Sequence, residues 1–318
     1  MQVNWRAVLE KSHPGVAGLP LTFHAAQLLI MGGHRNEAAA ALQELADRQP
    51  DDLQAHQQLA ALLKRMGRPT DAERVLKKAA LIEAKNYVNQ AQDLEDLAQF
   101  IEASTGSTTA PQSAPVAYVT SLFDQYADDF DPVLRKSLEY KAPELLLAAF
   151  QRLPSMILKN LDTLDLGCGT GLAGEIFRPF ARRLDGVDLS TKMLAIARVK
   201  SIYDELQADD IVNYLEKMTE TYSLILAADV FVYMGDLQAV FSATRKALMP
   251  GSHFAFTVEA STGADYFLQA TRRYAHSKNY LARLAAEHQF DIKILEETST
   301  RVESLRPVPS YLAILMAT

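Results

Sequence analysis

The sequence has almost no cysteine and no excess of positive charge. A single cysteine, Cys168, among 318 residues excludes an intramolecular disulfide and a cysteine-based metal cluster, so no metal site is expected. Lys and Arg number 32 against 39 Asp and Glu, a formal net charge of -7. That balance argues against tight non-specific nucleic-acid binding, which relies on cations to neutralise phosphates. There is no run of about 18 apolar residues, so no transmembrane helix is expected. The opening stretch MQVNWRAVLEKSHPG lacks the apolar segment of a signal peptide. These absences make a cytoplasmic protein, with neither membrane nor nucleic acid as partner, the expectation. What is present is an ordinary globular composition, 48% hydrophobic and 22% charged, and a length that suggests about two domains.

The first hundred residues repeat themselves. Ala26 and Ala60, Leu29 and Leu63, Gly33 and Gly67, Ala38 and Ala72, and Leu42 and Leu76 each recur at a spacing of 34. This register reads as a pair of helices used twice, with turns at Gly33-His34 and Gly67-Arg68 and second helices starting near Glu37 and Asp71. The pattern resembles tetratricopeptide repeats, although the consensus Trp and Tyr are missing and Ala84 replaces the expected Pro. About three repeats are needed to bury a continuous face. The flanks are expected to supply the rest, with Trp5, Val8 and Leu9 on a leading helix and Val88, Ala91, Leu94, Leu97, Ala98 and Ile101 on a closing one. Such a region offers a binding groove or a brace, and no chemistry. His24, His34 and His56 lack metal-ligand spacing. The expected layout is a repeat domain over 1–103, a linker over 104–115, small, polar and proline-flanked, and a second domain over 116–318.

In the second domain strands and helices alternate. Seven strands are expected, at 161–166, 183–187, 206–208, 222–228, 252–258, 290–295 and 309–316. Alternation of this kind implies an α/β, Rossmann-like, mostly parallel sheet with helices on both faces. The short link between the last two strands implies that they pair antiparallel.

The segment Asp165-Leu166-Gly167-Cys168-Gly169-Thr170-Gly171 runs an apolar strand into a glycine turn that opens a helix. Glycines belong where backbone must turn sharply and approach a ligand closely. The dinucleotide fingerprint fails, because Leu172 holds its third glycine position, and no Gly-Lys-Ser/Thr follows to make a phosphate loop. An acid beside the loop, Asp165, suits a cationic ligand better than a pyrophosphate. Asp188, at the tip of the second strand and 19 residues after Gly169, is placed to accept hydrogen bonds from ribose hydroxyls. Asp209 and Asp210 end the third strand and Asp229 the fourth. Any one of these acids also reads as a helix N-cap; four consecutive strand ends in register with the loop are harder to explain that way.

These residues resemble class I S-adenosylmethionine-dependent methyltransferases over essentially all of 116–318. The resemblance covers the glycine segment, Gly186-Val187-Asp188-Leu189-Ser190 with Met193-Leu194, and Leu248-Met249-Pro250-Gly251-Ser252. The whole chain resembles bacterial methyltransferases that carry N-terminal tetratricopeptide repeats, through Leu122–Asp131, Asp229–Tyr233 and Arg273–Ser277. It departs from them at Glu303–Ser310, so the substrate is not inferred from relatives. The resemblance implies S-adenosylmethionine as cofactor. Gly167 and Gly169 would lie against its methionine half, with Cys168 as a small filler of the loop and Asp165 near the ammonium. Asp188 would bind the ribose, Leu189 and Met193 would pack on the adenine, and Asp210, with the Ile211 backbone, would bind the adenine amine, Asp209 being the competing candidate. Tyr126 would cover the cofactor.

Methyl transfer from a sulfonium is an in-line displacement that needs mainly alignment. A general base helps only when the acceptor must lose a proton. His276, read as lying in a loop just before a helix, and Tyr233 are the candidates, while His253 and His288 read as structural. Arg272, Arg273 and Arg306 are candidates to recognise a carboxylate or phosphate, or plain surface charges. The fourth strand ends in Ala228-Asp229-Val230-Phe231, not in the Asn/Asp-Pro-Pro-Tyr/Phe motif of base-amine methylation, and no Pro-Cys nucleophile is present. The expected reaction is therefore methylation of a small molecule at oxygen. Protein methylation, with the repeats recruiting the target, and a non-catalytic adaptor that binds the cofactor are the alternatives.

Overall fold

The computed structural model describes residues 4–12, 23–85, 87–88, 91–106, 108–154, 158–263 and 265–318. The chain divides into two compact units, Met1–Thr109 and Ala110–Thr318. Ser107, within the stretch read as linker, lies outside the described residues, as does the side chain of Ala91.

The first unit is helical: α1 (Trp5–Ser12), α2 (Phe23–Met31), α3 (Arg35–Arg48), α4 (Leu53–Arg65), α5 (Pro69–Ala84) and α6 (Ala91–Ser104). Gly33 and Gly67 join α2 to α3 and α4 to α5, with φ of 80° and 71°, left-handed values that glycine adopts without a Cβ penalty. Asp52 starts α4 by accepting from the Ala55 N–H at 3.1 Å, a cap whose loss costs about 1 kcal/mol. Both copies of the 34-residue register enter one core: Ala26, Leu29, Ala38 and Leu42 pack with Ala60, Leu63 and Ala72 and with Trp5 and Leu9 of α1. The Trp5 indole also donates to Glu44 Oε2 at 2.7 Å. Leu97, Ala98 and Ile101 of α6 are buried, as is Phe100 beside them.

The second unit is a mixed nine-stranded sheet: β1 (Leu161–Leu166), β2 (Ala181–Asp188), β3 (Glu205–Ala208), β4 (Tyr222–Ala227), β5 (Leu248–Ser261), β6 (Tyr266–Leu268), β7 (Tyr274–Ser277), β8 (Phe290–Glu303) and β9 (Arg306–Ala317). Its order is β3-β2-β1-β4-β5-β7-β6, with β9 antiparallel to β5 along His253–Glu259 and β8 antiparallel to β9. The five strands β1 to β5 pair parallel. The expectation of seven strands omits β6 and β7. These are three and four residues long, too short to show a period in sequence, and β7 is held by parallel pairing of Glu259 with Ala275.

Alternation within the strands makes the two cores. Ile225, Ala227, Phe254 and Phe256 face the helices Gln238–Ala247 and Lys278–Glu287. Leu224, Leu226 and Ala255 face the helix Ala142–Gln151 through Leu146 and Phe150. Part of the stretch read as linker is tied to this unit: Tyr274 Oη donates to the Pro111 carbonyl at 2.6 Å, Gly235 N to that of Gln112 at 2.7 Å, and Ala114 N to that of Tyr233 at 2.8 Å. These bonds anchor the residues just before the helix α7 (Val116–Tyr126).

Candidate active site

The carboxyl ends of β1, β2 and β4 open onto a cavity of about 560 Å³ in the second unit. At one end is the loop 167–171. Gly167 has φ +58°, and a Cβ there would meet Val230 Cγ2 at 2.7 Å. Gly169 presents an open face, since a Cβ there would find nothing nearer than the Phe130 ring at 3.8 Å. The loop is clamped to β2 through Asp188, whose Oδ2 accepts from Gly169 N and Oδ1 from Ser190 N, both at 2.8 Å. Ser190 in turn caps the helix Thr191–Lys200 by accepting from Met193 N, and it donates to Asp124 Oδ1 at 2.5 Å.

Asp165 lies beneath the loop, 1% exposed. Tyr203 reaches it, donating from its hydroxyl to Oδ2 at 2.6 Å. The tyrosine fills a slot made by three glycines: a Cβ at Gly171 or Gly186 would come within 3.0 Å of its ring, and one at Gly174 within 2.5 Å of its Cζ. Burial pushes the Asp165 carboxyl up to about 7, against the Tyr203 hydrogen bond and with help from the nearby Asp188 charge. Burial likewise raises Asp188, against the N–H groups of Ser190 and Gly169. Two adjoining carboxyls held above their ordinary range favour a cationic ligand. S-adenosylmethionine carries an ammonium and a sulfonium, so these residues fit it.

The cavity wall contains Tyr126, Asp165, Gly167, Cys168, Gly169, Asp188, Leu189, Asp210, Ile211, Asp229 and Tyr233. Tyr126 is exposed at 56%. The thiol of Cys168 is buried and pushed up by that burial, which makes it a filler and not a nucleophile. Asp210 also caps the helix Ile211–Glu216 through Oδ1.

Met193, Asp209 and His276, expected at the site, are set off this wall. Met193 is fully buried in the core. Asp209 turns away to pair with Lys217 at 2.6 Å and to accept from Asp210 N. His276 is a strand residue in β7, not a loop residue. It is fully buried, its ring stacked on Tyr280, and Nε2 lies 3.1 Å from the Gly235 carbonyl. Burial lowers it to about 4, so it is neutral and touches no acceptor. Arg272 and Arg306 are also outside the wall, whereas Arg273 is part of it.

The opposite end of the cavity holds a charge cluster that the sequence reading missed apart from Asp229 and Arg273. Arg301 of β8, 5% exposed, donates to Asp229 Oδ2 and Glu303 Oε1, each at 2.7 Å, and to Glu259. Arg273 pairs with Glu303, and its Nε lies 2.8 Å from Glu259 Oε1. Asp229, at φ +58°, receives Thr257 at 2.8 Å and Thr300 at 3.0 Å as well. Burial alone would raise the Glu303 carboxyl, but the Arg301 and Arg273 guanidiniums outweigh it and hold it below its ordinary value. Tyr233 faces this cluster with its hydroxyl pushed up to about 12 by burial, against the attraction of Arg273 and Arg301. Val119, Leu122, Phe123, Leu134 and Leu138 supply apolar wall. Arg301 reaches Glu259 and Asp229 across 42 and 72 residues of sequence, which is why no local signal marks the cluster.

Residues 164–254 match the family model of a methyltransferase domain. Among curated relatives, the chain is 26% identical over 152 residues to a ubiquinone biosynthesis O-methyltransferase of Pectobacterium carotovorum, covering 42% of this chain and 62% of that protein. It is 26% identical over 196 residues to that of Cupriavidus pinatubonensis, covering 56% and 76%. The chain spans less than two thirds of the length of the first curated relatives it matches. Among solved structures it is similar to the 1,6-didemethyltoxoflavin-N1-methyltransferase of Burkholderia thailandensis, solved with its 1,6-didemethyltoxoflavin and S-adenosylhomocysteine. That match has a TM-score of 0.51 at 17% identity, covering 66% of this chain and 93% of that one. It is also similar to the [4+2]-cyclase SpnF, with a TM-score of 0.50 at 14% identity, covering 63% and 95%. A cyclase on this fold means that the acceptor chemistry has to be argued from the site. The second unit carries an S-adenosylmethionine-dependent methyltransferase domain, and S-adenosylmethionine is its cofactor.

Proposed function

We propose that the chain transfers the methyl group of S-adenosylmethionine to an oxygen of a small molecule in a bacterial cytoplasm. One observation carries this reading: the acid-backed glycine loop and the Tyr233–Arg273 end belong to one cavity with an apolar wall. The cofactor supplies an electrophilic methyl; the chain binds and aligns. In this reading Gly167 and Gly169 accommodate the methionine half, with Cys168 behind them. Asp165 faces the ammonium, steadied by Tyr203, and Asp188 takes the ribose. Leu189, Asp210 and Ile211 hold the adenine, and Tyr126 covers the site from its rim. Met193 and Asp209 act through packing and through the helix start beside Asp210. Asp229 anchors the cluster at the acceptor end. Tyr233, held protonated, donates a hydrogen bond and takes no proton.

The same reading assigns 1–103 to a tetratricopeptide-like repeat domain, 104–115 to a linker and 116–318 to the catalytic domain. The first unit then braces the enzyme or holds a protein partner. The test is to incubate the full chain with methyl-labelled S-adenosylmethionine and a bacterial extract split into protein and small-molecule fractions. Label in the small-molecule fraction, bound to oxygen, is the expected result. Label confined to protein would move the acceptor to a polypeptide, and no transfer by a chain that binds the cofactor would leave a cofactor-binding adaptor.

A further inference from the structure

The acceptor end has donors to spare, while each of its carboxylates is already paired with an arginine. Arg273 commits Nη2 to Glu303 and sets Nε against Glu259, and its Nη1 has no partner among the described residues. The Tyr233 hydroxyl, next to the two guanidiniums, has none either. Each nearby carboxylate is engaged. Glu303 receives Arg301 on one oxygen and Arg273 on the other. Asp229 receives Thr257 on Oδ1 and both Thr300 and Arg301 on Oδ2. Glu259 receives Arg301 and, at 2.5 Å, Gln269. Tyr140 spends its hydroxyl on the Ala228 carbonyl at 3.3 Å, and His276 is outside the cavity. An alcohol or a protonated amine would need a base at this point; an acceptor that arrives as an anion needs none.

We propose that the acceptor is a carboxylic acid with an apolar body, bound as its carboxylate by Arg273 and the Tyr233 hydroxyl and methylated to the ester. This deepens the proposed function and rests on it. A carboxylate oxygen lone pair forms the new bond to the methyl carbon. The bond from that carbon to sulfur breaks and its electron pair stays on sulfur, leaving a neutral thioether, and no proton is released. Arginine suits this recognition because its planar fork matches a carboxylate. The cluster of Asp229, Glu259 and Glu303 against Arg273 and Arg301 is one negative charge in excess, and a sulfonium in the cavity offsets it. The anionic acceptor therefore follows the cofactor into the site. Val119, Leu122, Phe123 and Leu138 cover its apolar body.

The experiment uses the full chain, tritiated S-adenosylmethionine and a protein-free bacterial metabolite extract, followed by alkali. Methyl esters release volatile methanol in alkali; methyl ethers and methylamines keep their label. The expected result is that most transferred label becomes volatile. Label that stays fixed overturns the carboxylate acceptor and leaves methyl transfer to a small molecule standing, whereas no transfer overturns both. At limiting extract, Arg273→Gln should lower ester formation about 10- to 100-fold, the value of one charge-assisted hydrogen bond, with S-adenosylhomocysteine affinity unchanged and partial recovery in Arg273→Lys. Tyr233→Phe, which leaves every ion pair intact, should lower it by a smaller factor. Wild-type ester formation in both Arg273→Gln and Tyr233→Phe contradicts the assignment.

Discussion

Replacing Asp165 by Asn should stabilise the second unit at alkaline pH and weaken the cofactor site. Asp165 ionises near 3.8 in an unfolded chain and at about 7 in the fold. A carboxyl raised by folding contributes stability that is complete below the unfolded value and lost as pH rises through the folded one. The difference between 3.8 and about 7 corresponds to about 4 kcal/mol, and relaxation around the charge makes that an upper bound. Asn keeps an oxygen for the Tyr203 hydroxyl and cannot ionise. Only the part of that window above pH 5 counts, about two pH units, so its stability relative to the wild type should rise by about 1–3 kcal/mol between pH 5 and pH 8. The comparison between the two pH values cancels any hydrogen bond lost equally at both. The only tryptophan, Trp5, is in the first unit, so fluorescence does not report on this site. Hydrogen exchange of the β1 segment Leu161–Leu166 in graded denaturant does. A difference between Asn and Asp that is the same at pH 5 and pH 8 would refute the reasoning, because Asp165 would then not be held neutral by its burial.

Two further substitutions probe the packing around the cavity. Gly174→Ala should displace Tyr203 from its slot, since the new methyl would fall within 2.5 Å of Cζ; cofactor affinity measured by calorimetry should drop with it, and retained affinity would show that the slot gives way freely. Arg301→Met should cost about 3–5 kcal/mol, the range for breaking a buried ion pair, because Asp229, Glu259 and Glu303 all lose the same partner. Thermal unfolding at neutral pH reads this loss, and an unchanged midpoint would remove the cluster as a determinant of the fold.

The parts of this structure that sequence made legible are those written in local spacing. Four of the five parallel strands carry an acid at or just past the carboxyl end, Asp165, Asp188, Asp209-Asp210 or Asp229, and the glycines at 167, 169 and 171 mark the turn by their positive φ. The 34-residue register places Ala26 with Ala60 and Leu29 with Leu63 in one core. What escaped is what only three dimensions bring together. Tyr203 meets Asp165 across 38 residues and Arg301 meets Asp229 across 72, so neither carries a motif. His276 reads as a loop residue because it stands just before a helix, after the fifth strand. Its four-residue strand instead buries it between Tyr266 and Tyr280, and desolvation then keeps it neutral.

The most direct test of the central claim is a calorimetric titration of the full chain with S-adenosylmethionine, alongside Asp188→Ala. Asp188 both clamps Gly169 and lines the cavity. Micromolar binding by the wild-type chain, lost in Asp188→Ala while circular dichroism shows the fold retained, is the expected result. Absence of binding by a wild-type chain shown to be folded would contradict the account.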